Sequence, residues 1–165
     1  MTSPDPITEF LAAKERAEAQ QIDTAPVTLA TADVNGQPSA RMVLLRGVDE
    51  RGFAFFTNYH SRKAGELAAN PKAALCIHWI SLGEQIRIEG AVERVPESES
   101  DAYFDSRPRG SQLGAWASEQ SRVLPSRETL EAQYREVERR FEGGAVTRPP
   151  FWGGFRIVPH RIEFW

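Results

Sequence analysis

The sequence contains very little cysteine and no apolar run long enough to cross a membrane. Its one cysteine, Cys76, cannot form an intramolecular disulfide and supplies no set of thiolates for a zinc site. No Ser-His-Asp arrangement, His-Glu-x-x-His pair, Walker loop or Gly-x-Gly-x-x-Gly segment occurs. These absences exclude a disulfide framework and leave no metal site to assign.

A large excess of positive or negative charge is also lacking. The chain has 20 Lys and Arg against 23 Asp and Glu, a formal net charge of −3. A nucleic-acid partner is therefore not expected, and the local arginine clusters are typical of sites rather than of a basic coat. The N-terminus lacks the basic-then-apolar pattern of a signal peptide, so we expect a cytoplasmic protein with no membrane partner.

What is present is a globular composition: 41% of the 165 residues are hydrophobic, with four Trp and nine Phe. We find no repeat or linker and predict one domain over residues 1–165. Asp5-Pro6 is a typical helix start and predicts an N-terminal helix, within residues 1–21, that packs on the rest of the domain. Asn35-Gly36 predicts a tight hairpin turn because both residues tolerate positive φ.

About six strands alternate with helices along the chain, which favours a mainly β fold, a small antiparallel barrel with peripheral helices. Residues 107–121 give no clear prediction. The C-terminal stretch is either one strand broken at Pro159 or two short strands. The other predicted strands are Val27–Thr31, Ser39–Leu45, Phe53–Thr57, Ala73–Trp79 and Glu84–Val95.

Three segments carry the side chains that bind phosphate esters, namely guanidinium or ammonium groups mixed with hydroxyls. They are Arg41-Met-Val-Leu-Leu-Arg46, Phe56-Thr-Asn58 with Ser61-Arg-Lys63, and Tyr103-Phe-Asp-Ser-Arg-Pro-Arg109 with Ser111. Two basic residues in the first turn of a helix oppose its dipole unless an anion is bound there. We therefore expect two phosphorylated ligands, or one ligand with two phosphate-like ends.

Each segment also has a simpler interpretation. Arg41 and Arg46 could be rim charges, Arg62 and Lys63 a solvated pair, and Arg107 an ordinary basic residue at a helix end. Gln85, Gln120 and Ser121 could equally be surface residues. His78 is more typical of a packed or rim residue than of a catalyst.

The motifs taken together, in order and with their spacing, resemble the pyridoxamine 5′-phosphate oxidase family. They are Arg-Met-Val-Leu-Leu, Phe-Phe-Thr-Asn, Ser-Arg-Lys, Ser-Arg-Pro-Arg with Ser-Gln-Leu-Gly-Ala-Trp, Gln-Ser, Phe-Trp-Gly-Gly-Phe and Glu-Phe-Trp, from about Thr24 to Trp165. The resemblance implies an FMN-binding split β-barrel and a homodimer with FMN at the subunit interface. It also implies oxidation of pyridoxine or pyridoxamine 5′-phosphate to pyridoxal 5′-phosphate, with O₂ reduced to H₂O₂.

Carried over by motif, the resemblance assigns two sets of binding residues. The substrate phosphate would be held by Arg46, Tyr103, Arg107 and Ser111. The FMN contacts would be Arg41, Met42, Val43, Leu44, Phe56, Thr57, Arg62, Lys63, Gln85, Gln120, Ser121 and Trp165.

Two departures from the family pattern bear on these expectations. Arg46 stands where the family usually has lysine. The family also continues past Glu-Phe-Trp into a tail with Arg-x-His, whereas this sequence ends at Trp165, so catalytic residues are not assigned. We expect a truncated or incompletely represented oxidase, the alternative being a protein that lacks the tail by nature. Rival functions are an FMN- or pyridoxal-phosphate-binding protein without turnover, and a related flavoenzyme acting on another substrate.

Overall fold

The computed structural model describes residues 5–165, which form five α-helices, six β-strands and one short 3-10 turn. Residues 1–4, part of the predicted domain, lie outside the described residues. In chain order the elements are α1 (Pro6–Ala19), β1 (Pro26–Ala32), β2 (Pro38–Asp49), β3 (Gly52–Asn58), α2 (Arg62–Ala69), β4 (Lys72–Trp79), the 3-10 turn (Ile80–Leu82), β5 (Glu84–Arg94), α3 (Glu97–Ser106), α4 (Arg109–Ala117), α5 (Arg127–Arg140) and β6 (Trp152–Phe164).

The six strands close into an antiparallel barrel with the order β1-β2-β3-β6-β5-β4. Short connections join β1 to β2 and β2 to β3, and the last strand, β6, pairs with β5. Closure gives each of these six strands a hydrogen-bonded neighbour on both sides. The predicted fold class, a mainly β barrel with peripheral helices, is confirmed.

The chain divides into two compact units. The barrel unit comprises residues 5–56, 66–94 and 155–165, and the helical unit comprises residues 57–65 and 95–154. The single domain over residues 1–165 stays a prediction. No helix within residues 5–165 combines the length and the apolar character needed to cross a membrane.

The barrel interior is filled by side chains that point inward from alternate positions along the strands. Leu29, Phe55, Ile88 and Ile157 are completely buried. Burial of a side chain of this size contributes about 1.5–3 kcal/mol each. This packed interior makes the barrel a rigid frame, and it leaves any ligand to bind outside the barrel.

Helix α1 starts as the sequence predicts. The Asp5 side chain accepts a hydrogen bond from the Thr8 backbone N–H at 2.9 Å, and this bond lowers the pKa of the Asp5 carboxyl. On the inner face of α1, Phe10 packs edge-on against Phe53 of β3 with ring centroids 4.9 Å apart. The helix therefore lies on the barrel unit through an aromatic contact.

The β1–β2 turn differs from the prediction. Its central residues are Val34 and Asn35, closed by a 3.0 Å bond from the Gly36 N–H to the Asp33 carbonyl, and only Gly36 has positive φ, at +81°. The Asp33 carboxylate also accepts from the backbone N–H groups of Asn35 and Gln37. This side-chain bonding holds a longer turn than the two-residue one expected from Asn35-Gly36.

The two ambiguous stretches are also resolved. Residues 107–121 contain a helix, α4, which begins directly after Pro108. The C-terminal stretch is one strand, β6, with a bulge where the register against β5 shifts between Glu89 and Gly90. The bulge accommodates Pro159, which cannot donate a ladder hydrogen bond.

Candidate functional site

A buried lysine marks the start of α2 in the helical unit. Lys63 is only 6% exposed. Its ammonium nitrogen lies 3.2 Å from Thr57 Oγ1, 3.4 Å from Ser61 Oγ and 3.2 Å from Gln120 Oε1. Desolvating an ammonium is costly unless it is well hydrogen-bonded or paired with an anion. The structure thus places a buried cation among hydroxyl and amide oxygens.

The residues around Lys63 come from three parts of the helical unit. Thr57 is at the end of β3, Ser61 immediately precedes α2, and Gln120 lies in the loop after α4. The Thr57 hydroxyl donates to Gln120 Oε1 at 2.8 Å, so one amide oxygen accepts from both Thr57 and Lys63. Asn58 fastens the same loop by donating to the Ser118 carbonyl at 3.3 Å.

This donor set has the chemistry of an anion site. The first i→i−4 bond of α2 runs from the Gly65 N–H to the Ser61 carbonyl, so residues 62–64 form the first turn, at the positive end of the helix dipole. Arg62, in the same turn, is exposed. Backbone N–H groups, the helix dipole, an ammonium and two hydroxyls together suit a phosphate monoester.

The loop that supplies Gln120 is held in an uncommon backbone conformation. Ser121, predicted beside Gln120, has φ of +68°, one of two positive values among the described non-glycine residues. A non-glycine residue in this region is strained by about 1–3 kcal/mol. The surrounding contacts of Asn58 and Thr57 hold the loop in place despite that strain.

A second cluster in the helical unit gathers around Trp152, the first residue of β6. The Arg107 guanidinium carbon lies 4.7 Å from the Trp152 ring centroid. The Tyr103 ring stacks on the same indole, with centroids 6.1 Å apart and planes 15° from parallel. Two of the four predicted substrate residues therefore share one aromatic partner.

Pro108 separates the third member of this segment. Arg107 is the C-terminal cap of α3, and its N–H donates to the Phe104 carbonyl at 3.1 Å. Ser111 lies in the first turn of α4, where its N–H donates to the Pro108 carbonyl. Tyr103 and Arg107 thus lie at the end of one helix, and Ser111 at the beginning of the next.

In the barrel unit, β2 alternates as its sequence predicts. Val43 and Leu45 are buried, whereas Met42 and Leu44 point outward and are 60% and 45% exposed. Arg46, also on the outer face, lines a cavity of about 400 Å³ between α1 and β2 together with Lys14. A predicted anion-binding arginine therefore lies in a recess rather than on a flat surface.

Arg41 is tied into the barrel unit by an ion pair. Its Nη2 lies 3.1 Å from a carboxylate oxygen of Glu66, a residue of α2 that is 7% exposed. Arg41 also donates to the hydroxyls of Thr31 and Ser39, and both hydroxyls donate to Glu66. The guanidinium is therefore fixed by a closed network of hydrogen bonds.

Gln85 and Trp165 are adjacent at one end of the β5–β6 pair. The Gln85 N–H donates to the Trp165 carbonyl at 2.7 Å, and the Trp165 N–H donates to the Gln85 carbonyl at 2.8 Å. The Trp165 side chain is 82% exposed. Phe56, another predicted FMN residue, lies on β3 and is half-buried.

The predicted residues fall into both units. The barrel unit carries Arg41, Met42, Val43, Leu44, Arg46, Phe56, Gln85 and Trp165, and the helical unit carries Thr57, Arg62, Lys63, Tyr103, Arg107, Ser111, Gln120 and Ser121. Within the units the structure brings together Thr57, Lys63 and Gln120, the pair Tyr103 and Arg107, and the pair Gln85 and Trp165. Their roles in binding stay predictions.

Two supporting residues were not singled out from the sequence. Glu66 follows Lys63 by one helical turn, and an acidic residue that close to a basic pair reads as an ordinary surface charge. Trp152 belongs to the Phe-Trp-Gly-Gly-Phe motif, which carries the resemblance but shows no role for the ring. What marks both residues as supporting the site is their burial: Glu66 is 7% and Trp152 6% exposed. Burial cannot be read from the sequence.

Comparison with known proteins gives a consistent result. A family model described as Pyridoxamine 5'-phosphate oxidase matches residues 13–141. A pyridoxine/pyridoxamine 5'-phosphate oxidase of Anaeromyxobacter dehalogenans is 59% identical over 164 residues, which cover 99% of this chain and 83% of the relative. One from Ralstonia pickettii is 60% identical over 151 residues, covering 92% of this chain and 71% of the relative.

A solved structure supports the same fold. PhzG from Burkholderia lata, solved in complex with tetrahydrophenazine-1-carboxylic acid, superposes with a TM-score of 0.93 at 33% identity, covering 99% of this chain and 81% of PhzG. The similarity extends over the barrel and the helices alike.

Proposed function

Since the chain belongs to the pyridoxamine 5′-phosphate oxidase family, we propose that it oxidises pyridoxamine and pyridoxine 5′-phosphates to pyridoxal 5′-phosphate. In this proposal FMN is the cofactor, O₂ is the electron acceptor and H₂O₂ is a product. With the amine substrate, water is also consumed and the nitrogen leaves as ammonia. The observation that carries it is the buried Lys63 cluster, a phosphate-type donor set in a chain 59% identical to a relative named for this activity.

The donor chemistry fits the phosphate of FMN. Lys63 supplies a buried positive charge, Thr57 and Ser61 supply hydroxyls, and the start of α2 supplies N–H groups. Arg62 adds a second cation. The remaining predicted FMN residues are Arg41, Met42, Val43, Leu44, Phe56, Gln85, Gln120, Ser121 and Trp165, which offer amide edges, a guanidinium and apolar surface.

The substrate phosphate would be held by Arg46, Tyr103, Arg107 and Ser111. A planar guanidinium can bind two phosphate oxygens at once, and hydroxyls complete the set. Arg107 is already oriented by its stacking on Trp152. Arg46 keeps the positive charge of the lysine usual at its position and can add bidentate geometry.

The task of the protein is chiefly positioning. FMN, held by these residues, would supply the two-electron oxidation of the substrate, with O₂ as the final electron acceptor. The residues of this chain hold phosphate groups, fix orientation and exclude water. Anchoring a reactant at its phosphate end removes rotational freedom, and this saves several kcal/mol of barrier.

A rival substrate class is favoured by one observation. PhzG, with a TM-score of 0.93, was solved with a phenazine carboxylic acid rather than a phosphate ester. The Tyr103 and Arg107 pair fits the anionic group of either substrate class, because a guanidinium binds a phosphate and a carboxylate alike. Higher kcat/KM with tetrahydrophenazine-1-carboxylate than with pyridoxine 5′-phosphate would favour the rival.

The test of the reaction is anaerobic reduction of the bound flavin. Purified protein loaded with FMN is mixed with pyridoxine 5′-phosphate in the absence of O₂, and the visible flavin absorbance is followed. We expect the absorbance to bleach and to return when air is admitted, with H₂O₂ formed. An absorbance that persists would instead indicate a protein that binds FMN without turnover.

The test of the cofactor site is the affinity for FMN. Lys63→Met removes a charge-assisted contact worth about 1.5–3 kcal/mol, so we expect the Kd for FMN to rise by one to two orders of magnitude. Lys72→Met, at an exposed lysine of β4, is the matched control and should leave the Kd unchanged. Equal affinities in all three proteins would remove Lys63 from the site.

We also propose a homodimer with FMN at the subunit interface. Its support is the distribution of predicted FMN residues over the outer face of β2 and the exposed end of β6, where Met42, Leu44 and Trp165 present apolar surface.

A further inference from the structure

Trp152 is buried next to Tyr103 and Arg107, an aromatic and a basic residue that are both assigned to the substrate phosphate. It is 6% exposed and lies at the first position of β6. Arg107 is 4.7 Å from its ring centroid, and Tyr103 stacks on it at 6.1 Å. Phe104 of α3 meets the indole edge-on at 5.2 Å. One ring therefore contacts three side chains at the C-terminal end of the same helix.

We infer that Trp152 is a positioning residue that holds Tyr103 and Arg107 in the geometry required to bind the substrate phosphate. This inference rests on the proposed function, since it assumes that Tyr103 and Arg107 contact that phosphate. The face of an indole attracts a guanidinium and orients it. A guanidinium fixed in this way loses less side-chain entropy when it binds an anion.

The backbone around Trp152 is itself firmly held. The Arg148 guanidinium donates to the Trp152 carbonyl at 2.7 Å and is paired with Asp101 at 2.6 Å. The next residue, Gly153, packs so closely that a Cβ there would lie 2.2 Å from the Tyr59 hydroxyl. The indole is thus attached to a rigid strand rather than to a mobile loop, as a positioning role requires.

The position of the indole also explains why α3 can end where it does. Pro108 breaks the helix directly after Arg107, and the end of a helix is the part most prone to fray. Stacking on Trp152 holds both Tyr103 and Arg107 at this end. The specificity for a phosphorylated substrate would then depend on a residue that does not touch the phosphate.

The test compares Trp152→Leu and Trp152→Phe with the unchanged protein. For Trp152→Leu we expect the KM for pyridoxine 5′-phosphate to rise about tenfold with kcat nearly unchanged, because the cation–π contact is lost while the reacting groups are untouched. For Trp152→Phe we expect most of the affinity to be recovered, since an aromatic face remains. A purely structural role would instead lower kcat and the FMN content at the same time as it raises KM.

The matched control is Trp116→Leu. Trp116 lies in the same unit and also stacks with an arginine, Arg140, at 4.6 Å. This change removes an equally large ring and its cation–π contact away from Tyr103 and Arg107, so KM should stay within about twofold of the original. Thermal melting of each variant checks that the fold is kept.

A double-mutant cycle with Arg107→Ala separates the two ideas on which the inference depends. We expect Arg107→Ala to raise KM and Trp152→Leu to add little in that background, because both changes act on one contact. Additive effects, or a Trp152→Leu protein with normal KM, would overturn the positioning role while leaving the proposed function intact. If Arg107→Ala itself leaves KM unchanged, the assignment of the substrate phosphate site is wrong.

Discussion

At the scale of single residues, buried charges determine how this molecule is organised around its candidate site. Glu66 is 7% exposed and accepts hydrogen bonds from Thr31, Ser39 and Arg41. Removing one member of such a network leaves the others with unmet hydrogen bonds in a low-dielectric environment. Glu66 therefore contributes to stability through Arg41 as well as directly.

Glu66→Gln should destabilise the flavin-free protein by about 1–3 kcal/mol. The side chain keeps its size, but the carboxylate that pairs with Arg41 becomes a neutral amide. Urea unfolding measures the change, if the free energy of unfolding falls with urea concentration at the same rate in both proteins. Glu15→Gln on the exposed face of α1 is the control and should stay within about 0.5 kcal/mol. Equal midpoints for Glu66→Gln and the original protein would show that the network contributes no net stability.

The residues that bind could be predicted better than the residues that support them. Lys63 and Thr57 were singled out because cations and hydroxyls near a helix start have a recognisable chemistry, and the structure places them 3.2 Å apart. Gln120 was only one of several possible surface amides until folding placed it against both. Glu66 and Trp152 act through burial and stacking, and these depend on segments distant in sequence.

At the scale of elements, the β5–β6 pair depends on close backbone packing. A Cβ on Gly90 would lie 2.2 Å from the Val158 carbonyl oxygen and 2.9 Å from Ile157 Cγ2. Gly90→Ala should therefore force the strands apart at the bulge and cost about 3 kcal/mol. Denaturant unfolding measures this cost.

Gly114→Ala is the control for this substitution. Gly114 lies inside α4, and a Cβ there meets nothing within 4 Å. The same chemical change should stabilise the protein by about 0.5–1 kcal/mol, because alanine favours a helix. Opposite signs for the two alanines are the expected result, and a stable Gly90→Ala protein would contradict the packing of this strand pair.

The same strand pair carries an acid-sensitive ion pair. Arg87 donates to both oxygens of Glu163, at 2.9 and 2.6 Å, and this hydrogen bonding lowers the pKa of the Glu163 carboxyl below its ordinary value. A carboxyl whose pKa is lowered by folding stabilises the protein above its ordinary pKa and loses that contribution as pH falls. The stability difference between the original protein and Glu163→Gln should therefore be largest at neutral pH.

A pH series of thermal melts checks this expectation. Because the side chains are solvent-exposed, the difference should be small and should decrease in high salt as well as in acid. The pair Arg161 and Glu163, at 3.3 Å, remains close enough to contribute to the same effect. A difference that grows in acid would refute the assigned direction.

Strands and most helices could be predicted because period-two alternation, proline and asparagine–glycine pairs act locally. Helix α4 could not, since Gly110 and Gly114 lie within it and reduce its intrinsic helix propensity. Its stability comes instead from tertiary contacts such as Trp116 against Phe141, with ring centroids 5.6 Å apart. The Asn35-Gly36 pair predicts the β1–β2 turn one residue later than it lies, because Asp33 holds the turn through side-chain bonds that a dipeptide pattern does not include.

At the scale of the whole molecule, the apolar side chains on the outer face of β2 form a surface that a partner chain could cover. Met42 and Leu44 alternate with Val43 and Leu45, which are already part of the packed interior. The outer pair therefore keeps about half of its surface exposed in one chain: Met42 is 60% and Leu44 45% exposed. Burying apolar area contributes about 25 cal/mol per Å², so a second copy covering this face would stabilise the pair.

We expect the protein with FMN bound to sediment as a dimer, because a closed, twofold assembly is the commonest way to cover such a face. Leu44→Asp should shift it to monomers and lower its FMN content, since a carboxylate would have to be buried at the interface without a partner. Val34→Asp, at a side chain 73% exposed in the β1–β2 turn, is the control and should remain dimeric. Circular dichroism verifies that both variants are folded. An original protein that sediments as a monomer while retaining FMN would show that one chain suffices to hold the cofactor, and the outer face of β2 would then need another explanation.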